Sequence, residues 1–245
     1  MTVPDPTIAL AISCMDLTNL SDECTSDDIR SLTEQARTPH GNVAAVCVWP
    51  KFVRNASGQL RGSGIRVATV INFPGGDQTA SQVIAETKEA IARGADEIDV
   101  VVPWKMLMEG HPENVSARVA RVKAAADGAP VKAIVESGML AKAELIRLAT
   151  RGAIDGGADF IKTSTGKAPI NATPDAARII LEEIRDSGKS IGFKASGGIR
   201  STKAALEYLE IADAIMGDGW AGPTTFRIGG SVLLPDLLKH IGQAS

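Results

Sequence analysis

Two lysines stand in the middle of apolar segments, where lysine is rarely found. Lys162 lies within residues 160–165 and Lys194 within residues 191–195, and both segments have the composition of buried parallel strands. Side chains alternate along a strand, so on neighbouring strands both amines can enter one interior, about 4.8 Å apart. Burial and a nearby like charge lower the pKa of a lysine. A neutral lysine attacks carbonyl groups and forms a Schiff base.

A structural explanation competes with this one, because a lysine can also reach solvent at a strand end or pair with a carboxylate. For one lysine we would favour that explanation. Two lysines on adjacent strands, both before small hydroxyl or glycine loops, favour catalysis. Asp99 and Lys132 follow the same pattern within residues 97–103 and 131–137. Asp99 could relay a proton or hold a lysine's charge with Lys132 as its partner, and a purely structural ion pair fits equally well.

Glycine-rich segments suggest a phosphate site. Gly197 and Gly198 precede Arg200, and Gly229-Gly230-Ser231 precedes a predicted helix. In α/β barrels the last loops and a short helix N-terminus often bind phosphate through backbone N–H groups. A Gly-Gly pair alone is usually only a turn, but the two loops, Arg200 and Lys167 together favour an anion site.

The elements that must position these residues alternate along the chain. Apolar runs predict eight strands, at residues 43–49, 65–73, 97–103, 131–137, 160–165, 191–195, 214–217 and 226–229, which makes the lysine strands the fifth and sixth. Between them, Thr79 with Gln82 forms a capping box, and Thr173-Pro174 begins a helix. Helix-to-strand joints of one design recur at residues 94–96, 157–159 and 211–213. We therefore predict an α/β fold, a single TIM (β/α)8 barrel spanning residues 1–245, over an open doubly wound sheet.

Composition excludes several classes of protein. The net charge of −3 offers no long-range attraction for nucleic acid or a membrane. No GxGxxG follows the first predicted strand, and His40, His111 and His240 lie far apart, so we expect no cofactor and no metal. The cysteines, Cys14, Cys24 and Cys47, show no CxxC spacing, and no export signal is recognisable. We expect a cytoplasmic enzyme.

Taken together, these segments resemble the deoxyribose-phosphate aldolase family, class I aldolases on a TIM barrel. The resemblance covers nearly the whole chain: residues 15–18, 72–74, 94–101, 160–167, 192–200 and 229–231. Residues 162–166 and 192–194 are the most specific parts. The resemblance implies reversible cleavage of 2-deoxy-D-ribose 5-phosphate to D-glyceraldehyde 3-phosphate and acetaldehyde, in deoxynucleoside catabolism, and a homodimer is common in the family.

The resemblance also implies a role for each matching residue. Lys162 corresponds to the Schiff-base lysine, Lys194 to the neighbour that lowers its pKa, and Asp99 with Lys132 to the proton relay. The residues implied to contact substrate are Asp16, Thr18, Cys47, Thr165, Gly166, Lys167, Gly197, Gly198, Arg200, Gly229, Gly230 and Ser231.

Two features depart from some family members. Ser231 is followed by Val232, which removes a hydroxyl donor, and the only tyrosine, Tyr208, lies in a predicted helix rather than in a C-terminal tail. Two other hypotheses for the function stay open. One is a lysine-dependent barrel aldolase for another sugar phosphate, and the other is a non-catalytic sugar-phosphate-binding barrel. The paired lysines argue against the second, because an anion site does not require buried strand lysines.

Overall fold

Eight parallel strands close into a barrel in which each strand pairs with the next and the last pairs with the first. The structure is a computed structural model that describes residues 5–242. The barrel strands are β1 (Met15–Asn19), β2 (Ala45–Val48), β3 (Arg66–Ile71), β4 (Glu97–Val101), β5 (Val131–Ile134), β6 (Phe160–Lys162), β7 (Gly192–Ser196) and β8 (Phe226–Gly230). A small antiparallel hairpin, Arg37–Thr38 with Gly41–Asn42, stands outside the barrel.

Helices between the strands cover the outside of the barrel. They are α1 (Pro6–Ser13), α2 (Ser26–Gln35), α3 (Val53–Leu60), α4 (Ala80–Ala92), α5 (Trp104–Met108), α6 (Glu113–Ala125), α7 (Ser137–Leu140), α8 (Ala143–Asp155), α9 (Pro174–Asp186), α10 (Thr202–Met216) and α11 (Leu233–His240), with a short 3-10 helix at Pro50–Phe52. The predicted TIM barrel is therefore confirmed.

Local sequence explains where several helices begin and what they bury. Thr79 and Gln82 form the predicted capping box before α4, and the Thr173 hydroxyl accepts the Ala176 N–H at 3.2 Å before α9. On α6, Val115, Val119 and Val122 share one face and are fully buried. Each such side chain contributes about 1.5–3 kcal/mol when removed from water.

One predicted strand is wrong, and one real strand was not predicted. Residues 214–217, predicted as a strand, fall at the end of α10. The strand that was not predicted is β1, the first of the barrel. In α10 the buried residues Ala205, Tyr208 and Ala212 follow the helical period, which prevails over the short apolar run. The lysine strands are consequently the sixth and seventh of the barrel, and Cys47 lies in the second strand.

The recurrent helix-to-strand joint has a physical basis at two of its three predicted sites. Asp96 N–H donates to the Val67 carbonyl at 2.8 Å, and the Asp96 carboxylate accepts the Val67 N–H at 2.8 Å. Asp159 and Val131 repeat both bonds at 2.9 and 2.7 Å. Each aspartate thus attaches the start of its strand to the strand before it.

The third predicted joint, at residues 211–213, is part of α10. Glycines in the left-handed region, Gly94 with φ 98° and Gly157 with φ 85°, let the chain leave the helix at the two real joints. Ile211 occupies the corresponding position at the third site and keeps the chain helical.

Asp96→Ala should lower the free energy of unfolding by about 1–3 kcal/mol, because the N–H of buried Val67 loses its acceptor. Guanidinium unfolding followed by circular dichroism measures the change. The matched control is Asp213→Ala within α10, where we expect a change within about 0.5 kcal/mol. Equal losses in the two variants would contradict the joint's structural role.

Candidate active site

The carboxyl ends of the strands surround a cavity of about 560 Å³. The loops after β1, β6, β7 and β8 supply most of its wall, as expected for the face of a barrel that carries function. The sequence-predicted residues on this wall are Thr18, Lys162, Thr165, Gly166, Lys167, Gly197, Gly198, Arg200, Gly229, Gly230 and Ser231. The fold thus brings together residues that lie more than two hundred positions apart in the chain.

Lys162 and Lys194 face each other across β6 and β7 and share one carboxylate oxygen. The two residues are directly paired in register. Asp99 Oδ2 accepts from Lys162 Nζ at 2.8 Å and from Lys194 Nζ at 2.7 Å. Lys162 is 3% exposed and Lys194 1% exposed. The predicted pair of buried amines is therefore present, with Asp99 between them.

Lys132 occupies the other oxygen of the same carboxylate. Its Nζ donates to Asp99 Oδ1 at 2.9 Å and to Glu97 Oε2 at 2.5 Å. All three groups are buried. Lys132 therefore joins two carboxylates on one face of β4 and restrains the rotation of the Asp99 side chain.

A second branch of the network holds Lys194. Its Nζ donates to Asp16 Oδ2, and Asp16 Oδ1 accepts from Arg227 Nη1 at 2.6 Å. Arg227 Nη2 donates to Glu97 Oε1 at 2.8 Å. The inward side chains of β1, β4, β5, β6, β7 and β8 thus form one hydrogen-bonded network of charges.

Electrostatics distinguish Lys162 from the other lysines. Burial lowers the pKa of Lys162, and the neighbouring Lys194 ammonium lowers it further against the opposing pull of Asp99. Burial also opposes the charges of Lys194 and Lys132, but their carboxylate partners raise both pKa values. Of these three buried lysines, Lys162 is therefore the one that loses its proton most readily.

The remaining part of the barrel interior is apolar. Ala45 and Cys47 on β2 and Ala68 and Val70 on β3 form a small buried cluster, against which Trp49 and Phe73 pack. Burial raises the pKa of the Cys47 thiol, which keeps it protonated. Because these side chains are small and apolar, the network of charged groups lies on the other strands of the barrel.

Two residues expected on the cavity wall do not line it. Asp16 and Cys47 are fully buried. Asp16 lies two residues below Thr18 on β1 and is committed to Lys194 and Arg227, whereas Cys47 belongs to the apolar cluster. Both lie beside the buried amines rather than on the wall of the cavity.

Hydrogen bonds between strand ends fix the wall near Lys162. Thr163 Oγ1 accepts the Ser196 N–H at 3.0 Å, and Ser196 Oγ donates to the Ser164 carbonyl at 2.6 Å. Gly229 permits a close approach, since a Cβ there would stand 2.9 Å from Ser196 Cβ and 3.2 Å from Lys194 Cε. A larger residue at position 229 would displace the Lys194 side chain.

Groups suited to an anion lie on one side of the cavity. Gly197 and Gly198 have φ values of 87° and 84°, a backbone conformation that glycine adopts without strain. Ser231 and exposed Val232 precede α11, whose first turn has no side-chain cap. Its free N–H groups are available to an anion. Arg200 stands on the same wall.

Lys167 has alternative partners on the rim of the cavity. Its Nζ lies 3.5 Å from Asp22 Oδ1 and 5.9 Å from the centre of the Trp49 ring. The exposed ion pair contributes little energy. Lys167 can therefore exchange Asp22 for a bound anion at small cost.

Sequence reasoning missed three buried residues of this site. Glu97 and Arg227 belong to the charge network, and their signal was the strand period, because they lie two residues before Asp99 and Gly229. Glu136 follows β5 with a left-handed backbone, φ 54°, and its Oε1 accepts the Thr165 N–H at 3.2 Å. No simple sequence signal marks Glu136.

Other kinds of site find no support in residues 5–242. Within that range, no group of three or more His, Cys, Asp or Glu side chains is arranged to hold a metal ion. Among the helices described, none is long and apolar enough to cross a membrane.

Comparisons with known proteins agree with this geometry. The model of the DeoC/LacD family aldolases matches residues 10–236. The deoxyribose-phosphate aldolase of Agrobacterium fabrum (strain C58 / ATCC 33970) is 48% identical over 239 residues, covering 96% of this chain and 92% of the relative.

Solved structures resemble the whole barrel. The protein in an apo-form crystal structure from Toxoplasma gondii ME49 is 25% identical in sequence to this chain. The two structures superpose with a TM-score of 0.89, and the match covers 98% of this chain and 97% of the other. The tetrameric deoxyribose phosphate aldolase from Aeropyrum pernix is 27% identical with a TM-score of 0.79, covering 98% and 94%.

Lys194→Leu should raise the pKa of Lys162, because it removes a positive charge and leaves Asp99 Oδ2 to Lys162 alone. At pH 7.5, labelling of Lys162 by a small amine-reactive reagent should slow roughly tenfold for each unit of upward shift. Peptide mass mapping over a range of pH measures the titration. Lys105→Leu, on exposed α5, is the matched control and should leave it unchanged, whereas an unchanged titration in Lys194→Leu would contradict the assigned influence.

Proposed function

Because this chain belongs to the DeoC/LacD family of aldolases, we propose that it reversibly cleaves 2-deoxy-D-ribose 5-phosphate to D-glyceraldehyde 3-phosphate and acetaldehyde. The proposal depends on one observation above all: among the buried lysines of the described barrel, Lys162 lines the cavity and has a lowered pKa. The 48% identity to an aldolase of this specificity supports the choice of substrate. We further propose that residues 1–245 form a single TIM-barrel aldolase domain.

The reaction begins with the neutral amine of Lys162. It attacks the aldehyde carbon C1 of the open-chain sugar and forms a carbinolamine, which takes up a proton and loses water to give a protonated imine. The positive nitrogen then accepts the electron pair of the C2–C3 bond as that bond breaks. The 3-hydroxyl group gives up its proton, D-glyceraldehyde 3-phosphate leaves, and an enamine remains on Lys162.

The second half of the reaction returns the proton and the enzyme. The enamine takes a proton at C2, and water hydrolyses the resulting imine to acetaldehyde and free Lys162. We assign the movement of these protons to Asp99 and Lys194, and the contact of Asp99 Oδ2 with both amines supports this role. Protonated Lys194 disfavours a second positive charge beside it, which keeps the resting Lys162 neutral.

We assign the phosphate end of the substrate to the groups of the cavity wall that are suited to an anion. Arg200, the Gly197–Gly198 backbone and the N–H groups around Ser231 provide a positive, donor-rich surface. We assign the contacts with the sugar to Thr18, Thr165 and Gly166, which line the same cavity as Lys162. Lys167 would leave Asp22 and join the phosphate.

Incubation with acetaldehyde and borohydride should place a reduced ethyl adduct on Lys162, read by peptide mass mapping. Lys162→Leu should abolish both adduct and deoxyribose-phosphate cleavage, because no other buried lysine lines the described cavity. Lys189→Leu, an exposed lysine, serves as the control and should keep both. An adduct elsewhere, or none, would overturn the role of Lys162, and an adduct without cleavage would indicate a different sugar.

Arg200→Ala should lower kcat/KM for the phosphorylated sugar about tenfold or more, the usual effect of losing one charge-assisted hydrogen bond. Unphosphorylated 2-deoxyribose should show less than a twofold change, since it makes no such bond. Steady-state kinetics with both sugars measures the ratio. Equal losses for the two sugars would contradict a phosphate contact.

The oligomeric state and the cellular location stay predictions. A homodimer is expected from the resemblance, and the Aeropyrum pernix relative is a tetramer. Light scattering on the purified protein measures the mass of the particle. A cytoplasmic location is expected and fractionation of cells tests it.

A further inference from the structure

The floor of the barrel carries an ion pair that the proposed reaction does not use. Glu97 and Arg227 lie at the amino ends of β4 and β8, where both line a second cavity opposite the first. Arg227 Nη2 and Nη1 donate to the two oxygens of Glu97 at 2.8 and 3.2 Å. Each residue is at most 3% exposed. Burying such a pair costs solvation free energy that its attraction often only offsets, so stability alone is a weak explanation for it.

We propose that Glu97 and Arg227 are positioning residues that determine, from one layer below, how Asp99 is shared between Lys162 and Lys194. The proposal deepens the proposed function and rests on Lys162 being the reacting amine. Neither residue touches the cavity that would hold the substrate. Glu97 reaches Asp99 through Lys132, and Arg227 reaches it through Asp16 and then Lys194.

Glu97 acts through Lys132. Its Oε2 accepts from Lys132 Nζ at 2.5 Å, and the same ammonium donates to Asp99 Oδ1 at 2.9 Å. Glu97 thus satisfies part of the charge of Lys132. Without Glu97, Lys132 would draw Asp99 toward itself, and Asp99 would hold Lys162 less well.

Arg227 acts through Asp16. Its Nη1 donates to Asp16 Oδ1 at 2.6 Å, and Asp16 Oδ2 accepts from Lys194. Arg227 competes with Lys194 for this carboxylate. Without Arg227, Asp16 would satisfy Lys194 more fully, and Asp99 would be released toward Lys162.

Charge balance predicts the same signs as these contacts. The hydrogen-bonded network described above holds three carboxylates against three lysines and one arginine. Removing a carboxylate therefore makes a positive Lys162 less favourable, and removing the arginine makes it more favourable. The titratable and charged groups that face Lys162, Glu97 or Arg227 are Asp16 on β1, Cys47 on β2, Arg66 on β3, Glu97 and Asp99 on β4, Lys132 on β5, Glu136 after it, Lys194 on β7 and Arg227 on β8.

Two variants with opposite expected effects test the proposal. The pH profile of kcat/KM reports free-enzyme groups, and its acidic limb should follow the loss of a proton from Lys162. Glu97→Gln should move that limb to lower pH, and Arg227→Gln should move it to higher pH. We expect each shift to be on the order of one pH unit. Glu97→Asp, which keeps the charge, should restore the limb to within about a third of a unit.

Damage to the fold alone would give a different result, because a smaller active fraction lowers kcat/KM equally at every pH. Glu183→Gln is the matched control: Glu183 is a 5% exposed carboxylate paired with Arg147 and Arg151 in the helix layer. This variant should leave the limb in place.

Three outcomes would overturn the proposal: unshifted limbs in folded Glu97→Gln and Arg227→Gln, shifts of the same sign in both, or a control shift of equal size. If one variant does not fold, the sign of the other decides. The proposed function is tested separately by the wild-type adduct on Lys162. An adduct there with unshifted limbs would reject only the roles of Glu97 and Arg227.

Discussion

The arrangement of this site depends on one buried carboxylate that three ammonium groups share. Asp99 binds Lys132 through one oxygen, and both Lys162 and Lys194 through the other. Lys132 has Glu97 as a further partner, and Lys194 has Asp16. Among the carboxylates of residues 5–242, Asp99 alone lies within hydrogen-bond reach of Lys162. A shortage of negative charge, rather than any special feature of the lysine, therefore makes Lys162 the readily neutral amine.

The backbone makes this sharing achievable. Parallel strands place their side chains in layers inside the barrel, and the two-residue period carries Glu97 and Asp99 to the same interior. The register sets Asp99 beside Lys132 and Lys162 beside Lys194. The network crosses from β4 to β8 and continues to β1. Arg227 lies on the strand next to that of Lys194, whereas Asp16 reaches both of them only because β1 pairs with β8 and closes the barrel.

The interior is asymmetric, and the asymmetry serves the site. Small apolar side chains on β2 and β3 form one side of the interior beside the lysines, while the other side holds the network of ions. Low polarity beside Lys162 strengthens every electrostatic interaction there. The same ions contribute little to stability for their number, because desolvation offsets much of their attraction. The helices and the outer faces of the strands supply the hydrophobic core instead.

The amino-acid sequence by itself determined the fold class and the pair of lysines buried in neighbouring strands. Apolar strands that alternate with capped helices predict the barrel, and a lysine within such a strand is recognisable without coordinates because its burial is so unfavourable. Seven of the eight predicted strands are present. The first strand was missed because its inward residues, Asp16 and Thr18, are polar, and strand patterns are recognised by apolar residues.

Only the tertiary structure decided which charges meet. Asp16, Glu97 and Arg227 lie far apart in the chain, and their pairing depends on barrel closure and register rather than on local pattern. The tertiary structure also shows that Asp16 and Cys47, which we expected on the cavity wall, are buried beneath it. A sequence records which side chains can ionise, but a pKa depends on burial and on neighbours across strands, which are properties of the folded chain.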